Sequence, residues 1–239
     1  MTLLTVSYHS KSLESNCGLN IALPESVLNK ENKDNSADVV YLLHGYGVDH
    51  TDWQRLGDIN GYATKNNVII VCPDGDNGFY INGPGPFRQY EDHILEVVDF
   101  ANTVFKTSGT NYIAGLSMGG YGAIRLGLKY PEIFTACASL SGVLDMEHWD
   151  LEHRSAIFGE GDINEDYDCM KLALKNNGKT KIFFNCGTED FLHKGNINFK
   201  NFLVKNNIPH VYDEYSGGHT WEYWTTHIWR VLEQLTGKK

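Results

Sequence analysis

Asn111-Tyr112-Ile113-Ala114-Gly115-Leu116-Ser117-Met118-Gly119-Gly120-Tyr121-Gly122-Ala123 decides the reading of this chain. At its centre, Gly115-Leu116-Ser117-Met118-Gly119 matches G-x-S-x-G, a pentapeptide that recurs by chance in many proteins. Its flanks give it meaning. A short apolar run ends at about Leu116, and a helical stretch begins at about Gly119. A sharp strand-to-helix turn holds a serine in a strained conformation with its hydroxyl exposed, and flanking glycines remove side chains that would clash. The helix amino terminus then favours negative charge developing beside that hydroxyl.

Outward from this turn the chain alternates strands and helices. Val39–Leu43 and Val68–Cys72 are short apolar runs of the kind found in strands covered on both faces. Asn111–Leu116, Ala136–Leu140, Lys181–Cys186 and His210–Tyr215 continue the series. Tyr90–Phe105 carries apolar residues at helical spacing, and Ala123–Leu128, Asn196–Val204 and Trp221–Leu235 also read as helices. This alternation predicts a mostly parallel sheet flanked by helices, with right-handed crossovers. Thr2–Tyr8 and Asn16–Leu23 are expected to form an antiparallel pair at one edge. Asn29 to Asp38 is polar and reads as a surface loop. Leu144 to Gly178 is too long for a simple connection and contains His148, Trp149, Phe158, Tyr167 and several acids, which predicts a partly helical cap over the carboxyl edge of the sheet. The 239 residues suit one domain, 1–239, with that small cap insertion at 144–178.

A serine nucleophile needs a base, and the base needs an orienting acid. In chain order after a G-x-S-x-G elbow, acid then histidine should follow, each in a loop after a later strand. His219 lies in Ser216-Gly217-Gly218-His219, between the strand 210–215 and the last helix, where such a base belongs. His210 starts a strand, His227 falls within a helix, and His193 precedes the last strand. For the acid, Glu189 and Asp190 compete in Gly187-Thr188-Glu189-Asp190. Asp190 is preferred because it reaches further over the sheet edge; Asp213 lies inside a strand. An oxyanion hole requires two backbone N–H groups. Met118 should supply one and Tyr46, in His44-Gly45-Tyr46-Gly47, the other. His44 precedes the serine in sequence and is expected to hold that loop by hydrogen bonds rather than to act as base.

These segments together resemble the esterase D group of α/β hydrolases, in particular its tributyrin esterase and feruloyl or acetyl-xylan esterase branch. The resemblance covers nearly the whole chain. It rests on Tyr41–Gly47 with Asp52-Trp53, on Val71–Gly75, on Gly115–Ala123 with Tyr130-Pro131-Glu132 and Leu140-Ser141-Gly142, and on Gly187–Leu192 and Gly217–Trp224. It implies an α/β-hydrolase fold, Asp190 over Glu189, and Tyr46 with Met118 as oxyanion donors. The implied activity is hydrolysis of short-chain or aromatic acyl esters through an acyl-enzyme. The same group includes S-formylglutathione hydrolases, which typically carry a serine at the position of His44, a cysteine in the following loop and a histidine before the nucleophile. Here no cysteine lies between Cys17 and Cys72, and Leu116 precedes Ser117, so a glutathione thioester, or acyl transfer on the same triad, is the alternative. The mixture of Trp149, Phe158 and acids in 144–178 is expected to be too polar to line a long acyl groove.

Composition excludes other classes. With 20 basic and 30 acidic residues the net charge is −10, which repels nucleic acid and anionic membranes. There is no H-E-x-x-H and no P-loop, so no metal or organic cofactor is implied. The five cysteines form no C-x-x-C, and Cys72, Cys137 and Cys186 sit in strand-like stretches. Buried free thiols and a cytoplasmic location are the expectation, with no signal peptide or spanning segment and a homo-oligomer left open. A binding protein that had kept the fold and lost the chemistry would have no need of all three of Ser117, Asp190 and His219.

Overall fold

The structure, a computed structural model, describes residues 2–28, 36–83, 87–146, 149, 151–159 and 164–238. Eight strands form one sheet: β1 (Thr2–Ser10), β2 (Ser15–Leu23), β3 (Ala37–Leu43), β4 (Val68–Pro73), β5 (Thr107–Leu116), β6 (Phe134–Leu140), β7 (Lys181–Gly187) and β8 (His210–Tyr215). Their spatial order is β1-β2-β4-β3-β5-β6-β7-β8. β1 pairs antiparallel with β2 and β2 antiparallel with β4; all the remaining pairs are parallel. The edge hairpin and the parallel body are therefore as the sequence predicts.

The helices are α1 (Glu25–Leu28), α2 (Asp52–Leu56), α3 (Ile59–Asn66), α4 (Tyr90–Val104), α5 (Met118–Lys129), α6 (Leu151–Phe158), α7 (Cys169–Asn176), α8 (His193–Lys205) and α9 (Trp221–Thr236), with a 3₁₀ turn at Glu165–Tyr167. One core lies between the sheet and α4, α5, α7 and α8, and includes Tyr41, Val71, Ile94, Ile113, Ile124 and Phe199. The opposite face is closed by α2, α3 and α9 through Trp53, Tyr62, Ile228 and Leu232. β3 and β5, with helices on both faces, are buried along most of their length, which explains why their apolar residues run continuously instead of alternating.

Three expectations need correction. The loop expected to run to Asp38 ends earlier, because Ala37 and Asp38 already belong to β3; residues 29–35 lie outside the described residues. The stretch 144–178 is not one cap. Trp149 and Ile157 border a cavity that reaches Ser117, whereas α7 packs on α5, burying Cys169, Leu172 and Ala173 in the core; His148 and residues 160–163 lie outside the described residues. Among the described residues, no acid of this stretch lines the cavity either. Glu165 pairs with Lys171 and Lys175, and Asp166 with Lys129 and Lys175, on the outer side of α5 and α7.

A charged cluster is buried beside α5. Arg125, fully buried, is paired with Glu91 of α4, and its remaining donors reach the carbonyls of Tyr80 (3.1 Å) and Asp166 (2.7 Å). Lys129 Nζ lies 2.9 Å from the same carboxylate. Burial pushes the Glu91 carboxyl up, but Arg125, Tyr130 and Lys129 outweigh it and hold it below the usual carboxylate range. This network ties α4, the loop after β4 and the 3₁₀ turn to α5.

Candidate active site

Ser117 lies between β5 and α5 with φ 53° and ψ −118°. A non-glycine residue in such a region carries on the order of 1–3 kcal/mol of strain and persists only where its surroundings over-determine it. Here they do. Ser117 N–H donates to Leu140 O (2.9 Å), and Tyr121 N–H to Ser117 O (3.0 Å). The turn closes because two positions carry no side chain. A Cβ on Gly119 would lie 2.5 Å from the carbonyl oxygens of Leu43 and His44, and one on Gly115 would lie 2.4 Å from Gly119 O.

His219, in the loop after β8, places Nε2 2.9 Å from Ser117 Oγ and Nδ1 2.8 Å from Asp190 Oδ2. Asp190 follows β7, and its side chain is fully buried. Its other oxygen accepts the Leu192 N–H at 2.8 Å. Burial raises the Asp190 carboxyl, but the hydrogen bond and charge of His219, with the Leu192 amide and Ser141, prevail and hold it below its ordinary value. An ionised carboxylate only accepts, so Nδ1 of His219 carries a proton and Nε2 of the neutral ring turns its lone pair to Ser117. Phe191 lies against one side of the imidazole (centroids 4.6 Å apart) and Trp224 meets it at right angles (4.9 Å).

The competing residues are engaged elsewhere. Glu189 is exposed and binds the Gly217 N–H and Ser216. His193 pairs with Glu214 at 3.2 Å, His210 bonds Ile208 O, and His227 stacks on Tyr215. Asp213 pairs with Arg230. His44 is fully buried and bonded on both ring nitrogens.

The two candidate oxyanion amides border the same space as Ser117. Met118 is the first residue of α5, so its N–H has no acceptor within the helix. Tyr46 follows Gly45, where a Cβ would lie 2.7 Å from Leu116 Cδ1 and 3.6 Å from Ser117 Cβ, so this loop packs directly on the elbow. Ser117, His219, Tyr46 and Met118 open on a cavity of about 500 Å³ walled by Phe79, Val143, Trp149, Ile157, Phe191 and Leu192. A smaller cavity of about 240 Å³ reaches Ser117 and His219 from the side of Gly45, Val48, Leu116, Trp221 and Trp224. Sequence reasoning missed Phe79, Phe191 and Val143. For Phe79 a signal existed: aromatic residues follow Asn77-Gly78 in a loop at the carboxyl edge of the sheet. Among the described residues, no group of three His, Cys, Asp or Glu is placed to hold a metal ion. None of the described helices is long and apolar enough to cross a membrane.

Residues 10–235 match the family model described as "Putative esterase". An acetyl esterase of Caldicellulosiruptor saccharolyticus is 30% identical, the match covering 99% of this chain and 98% of that protein. Among solved structures, fluorophosphonate-binding serine hydrolase F of Staphylococcus aureus is 28% identical with a TM-score of 0.88, covering 98% of both chains. The S-formylglutathione hydrolase FrmB of the same organism is 27% identical with a TM-score of 0.87 and equal coverage. A ferulic acid esterase is 25% identical with a TM-score of 0.84, covering 99% of this chain and 97% of its own. With a strained serine at the strand-to-helix turn and this match over almost its entire length, the chain belongs to the esterase family and is a carboxylic ester hydrolase of the α/β-hydrolase fold.

Proposed function

We propose that Ser117, His219 and Asp190 form the catalytic triad of this esterase, with the amides of Tyr46 and Met118 as its oxyanion hole. The observation that carries this reading is the continuous relay from Asp190 Oδ2 through His219 to Ser117 Oγ, with both links under 3 Å. Ser117 Oγ attacks the ester carbonyl while its proton passes to His219 Nε2. The carbonyl π electrons move onto oxygen, where the two amides stabilise the charge. The tetrahedral intermediate collapses, the alcohol leaves with the proton from His219, and the acyl group remains on Ser117. Water then repeats the sequence, losing a proton to His219, and the acid is released. Asp190 stays ionised throughout and stabilises the imidazolium.

The substrates are short-chain or aromatic acyl esters. The cavity supports this through its apolar wall, in which Phe79 and Trp149 offer flat surfaces to an acyl group. Among the described residues no lysine or arginine lines either cavity, so the carboxylates of glutathione would find no cation among them. The five free cysteines, four of them buried, fit a reducing cytoplasm, and the net charge of −10 fits a neutral small-molecule substrate rather than nucleic acid. A hydrolysis panel of acetyl, butyryl, feruloyl and S-formylglutathione substrates, run with wild type and Ser117→Ala, tests the reading. Acetyl, butyryl or feruloyl esters should lead and Ser117→Ala should turn over none. A lead by the glutathione thioester would overturn the substrate class.

A further inference from the structure

The loop that carries Tyr46 is pinned at successive carbonyls. Trp53 Nε1–H donates to Leu43 O at 3.0 Å, and Tyr80 O–H donates to His44 O at 2.9 Å. The His44 ring itself closes the next link, with Nδ1 2.8 Å from Gly45 O. On its far side His44 Nε2 receives the Gly75 N–H at 2.8 Å. Asp74 Oδ1 stands 3.6 Å from the same nitrogen, beyond hydrogen-bond reach. An amide N–H can only donate, so Nε2 carries a lone pair and the neutral ring carries its proton on Nδ1, directed at Gly45 O.

Gly45 O and Tyr46 N–H belong to one peptide unit. In a trans peptide they point in opposite directions. A donor fixed on Gly45 O therefore fixes the direction of the Tyr46 N–H and polarises it. Among the described residues the Tyr46 N–H donates to no protein acceptor, although it sits in a loop packed on Ser117. We propose that His44 is a positioning residue. Its neutral imidazole, held by the Gly75 amide, clamps the Gly45–Tyr46 peptide so that the Tyr46 N–H faces the oxyanion before substrate arrives. The proposal rests on Ser117 as nucleophile and on the Tyr46 amide as an oxyanion donor. It gives His44 a part in stabilising the transition state without any contact to it, and it explains why a buried histidine stands where an apolar side chain would fill the space with less desolvation.

His44→Phe keeps a ring and loses both hydrogen bonds, whereas His44→Asn keeps a short N–H donor near Gly45 O. The expected result for His44→Phe is a kcat on p-nitrophenyl acetate lower by on the order of 10- to 100-fold, less than the loss of a whole oxyanion donor, with KM nearly unchanged. Affinity for a trifluoromethyl ketone, which forms a hemiketal oxyanion on Ser117, should fall by the same factor. Affinity for an unreactive ether of the same shape should not. His44→Asn should recover a large part of both losses. Unchanged trifluoromethyl ketone affinity in His44→Phe, or equal losses for ketone and ether, would overturn the proposal. Should His44→Phe fail to fold, the ¹⁵N shifts of His44 in the wild-type enzyme decide: a protonated Nδ1 and a bare Nε2 are expected, and the opposite tautomer overturns the clamp. Full activity in Ser117→Ala would instead remove the reading on which the clamp rests, whereas an inactive Ser117→Ala beside a fully active His44→Phe would overturn the clamp alone.

Discussion

His219 Nε2 stands 2.9 Å from Ser117 Oγ, although 102 residues of chain separate them. The sheet makes this meeting possible, because β5 and β8 run parallel and deliver both loops to the same edge. Ser117→Ala and His219→Ala should each fold as the wild type does and lose activity on the order of a thousandfold or more. Ester hydrolysis, with circular dichroism as the control for folding, checks this. A substantially active His219→Ala enzyme would move the base to another histidine, His193 being next in line through its pair with Glu214.

Asp190 and Glu189 are adjacent but face different tasks, so their amides should rank clearly. Asp190→Asn loses the acceptor that selects the His219 tautomer and should lower kcat on the order of a thousandfold or more. Glu189→Gln alters exposed contacts to Thr188 and to the loop at Ser216 and Gly217, and should change kcat little. The reverse ranking would assign the acid to Glu189. Because the Asp190 carboxyl is held below its ordinary value, it stays ionised as pH falls through the acid limb of kcat/KM. That limb should therefore include no proton taken up by Asp190, and a limb of two protons would contradict an ionised Asp190.

How much of this was legible follows from what each residue announces locally. Lys181–Cys186 and Tyr90–Phe105 carry their periodicity in their own side chains, and the structure has β7 at Lys181–Gly187 and α4 at Tyr90–Val104. The elbow was legible because G-x-S-x-G has physical demands on both flanks. Helices α2 and α3 were not, being short and interrupted by Gly57 and Gly61. Phe79 could not be placed, because a loop residue's direction depends on what holds the loop: here φ is 51° at Phe79 and 56° at Tyr80, with Tyr80 O bound by Arg125. Glu91 and Arg125 look like solvent-facing charges in their own helices. Only the packing of α4 on α5 shows that they neutralise each other in the interior.

The Glu91–Arg125 pair should matter for stability more than any surface pair. Glu91→Gln leaves a buried guanidinium without its counter-charge, a change that typically costs about 3–5 kcal/mol. Urea denaturation should show it as a lower midpoint. The pH dependence has a definite sign. Since the folded Glu91 carboxyl sits below its unfolded value of about 4.3, the stability it contributes is present above that pH and lost as pH falls through the folded value. Glu91→Gln should flatten that part of the stability profile, and an unaltered profile would contradict the assignment.

Phe79 forms the inner wall of the larger cavity, 2% exposed, against Tyr121, Trp149 and Phe158. For p-nitrophenyl esters, wild-type kcat/KM should fall steeply beyond about six carbons, because methylenes that find no pocket lose the ~0.8 kcal/mol each would gain on burial. Phe79→Ala should move that break to longer chains and reduce stability by about 3–5 kcal/mol through the space it opens. A flat wild-type profile out to palmitate would show that Phe79 does not close the pocket.

The most direct test of the central claim is the site of covalent modification by a fluorophosphonate. Intact mass followed by peptide mapping should show one adduct per chain, on Ser117, formed in step with loss of esterase activity. Formation should be absent in Ser117→Ala and greatly slowed in His219→Ala. Loss of activity with the adduct on another residue, or full activity with Ser117 completely modified, would contradict the assignment of Ser117 as the nucleophile.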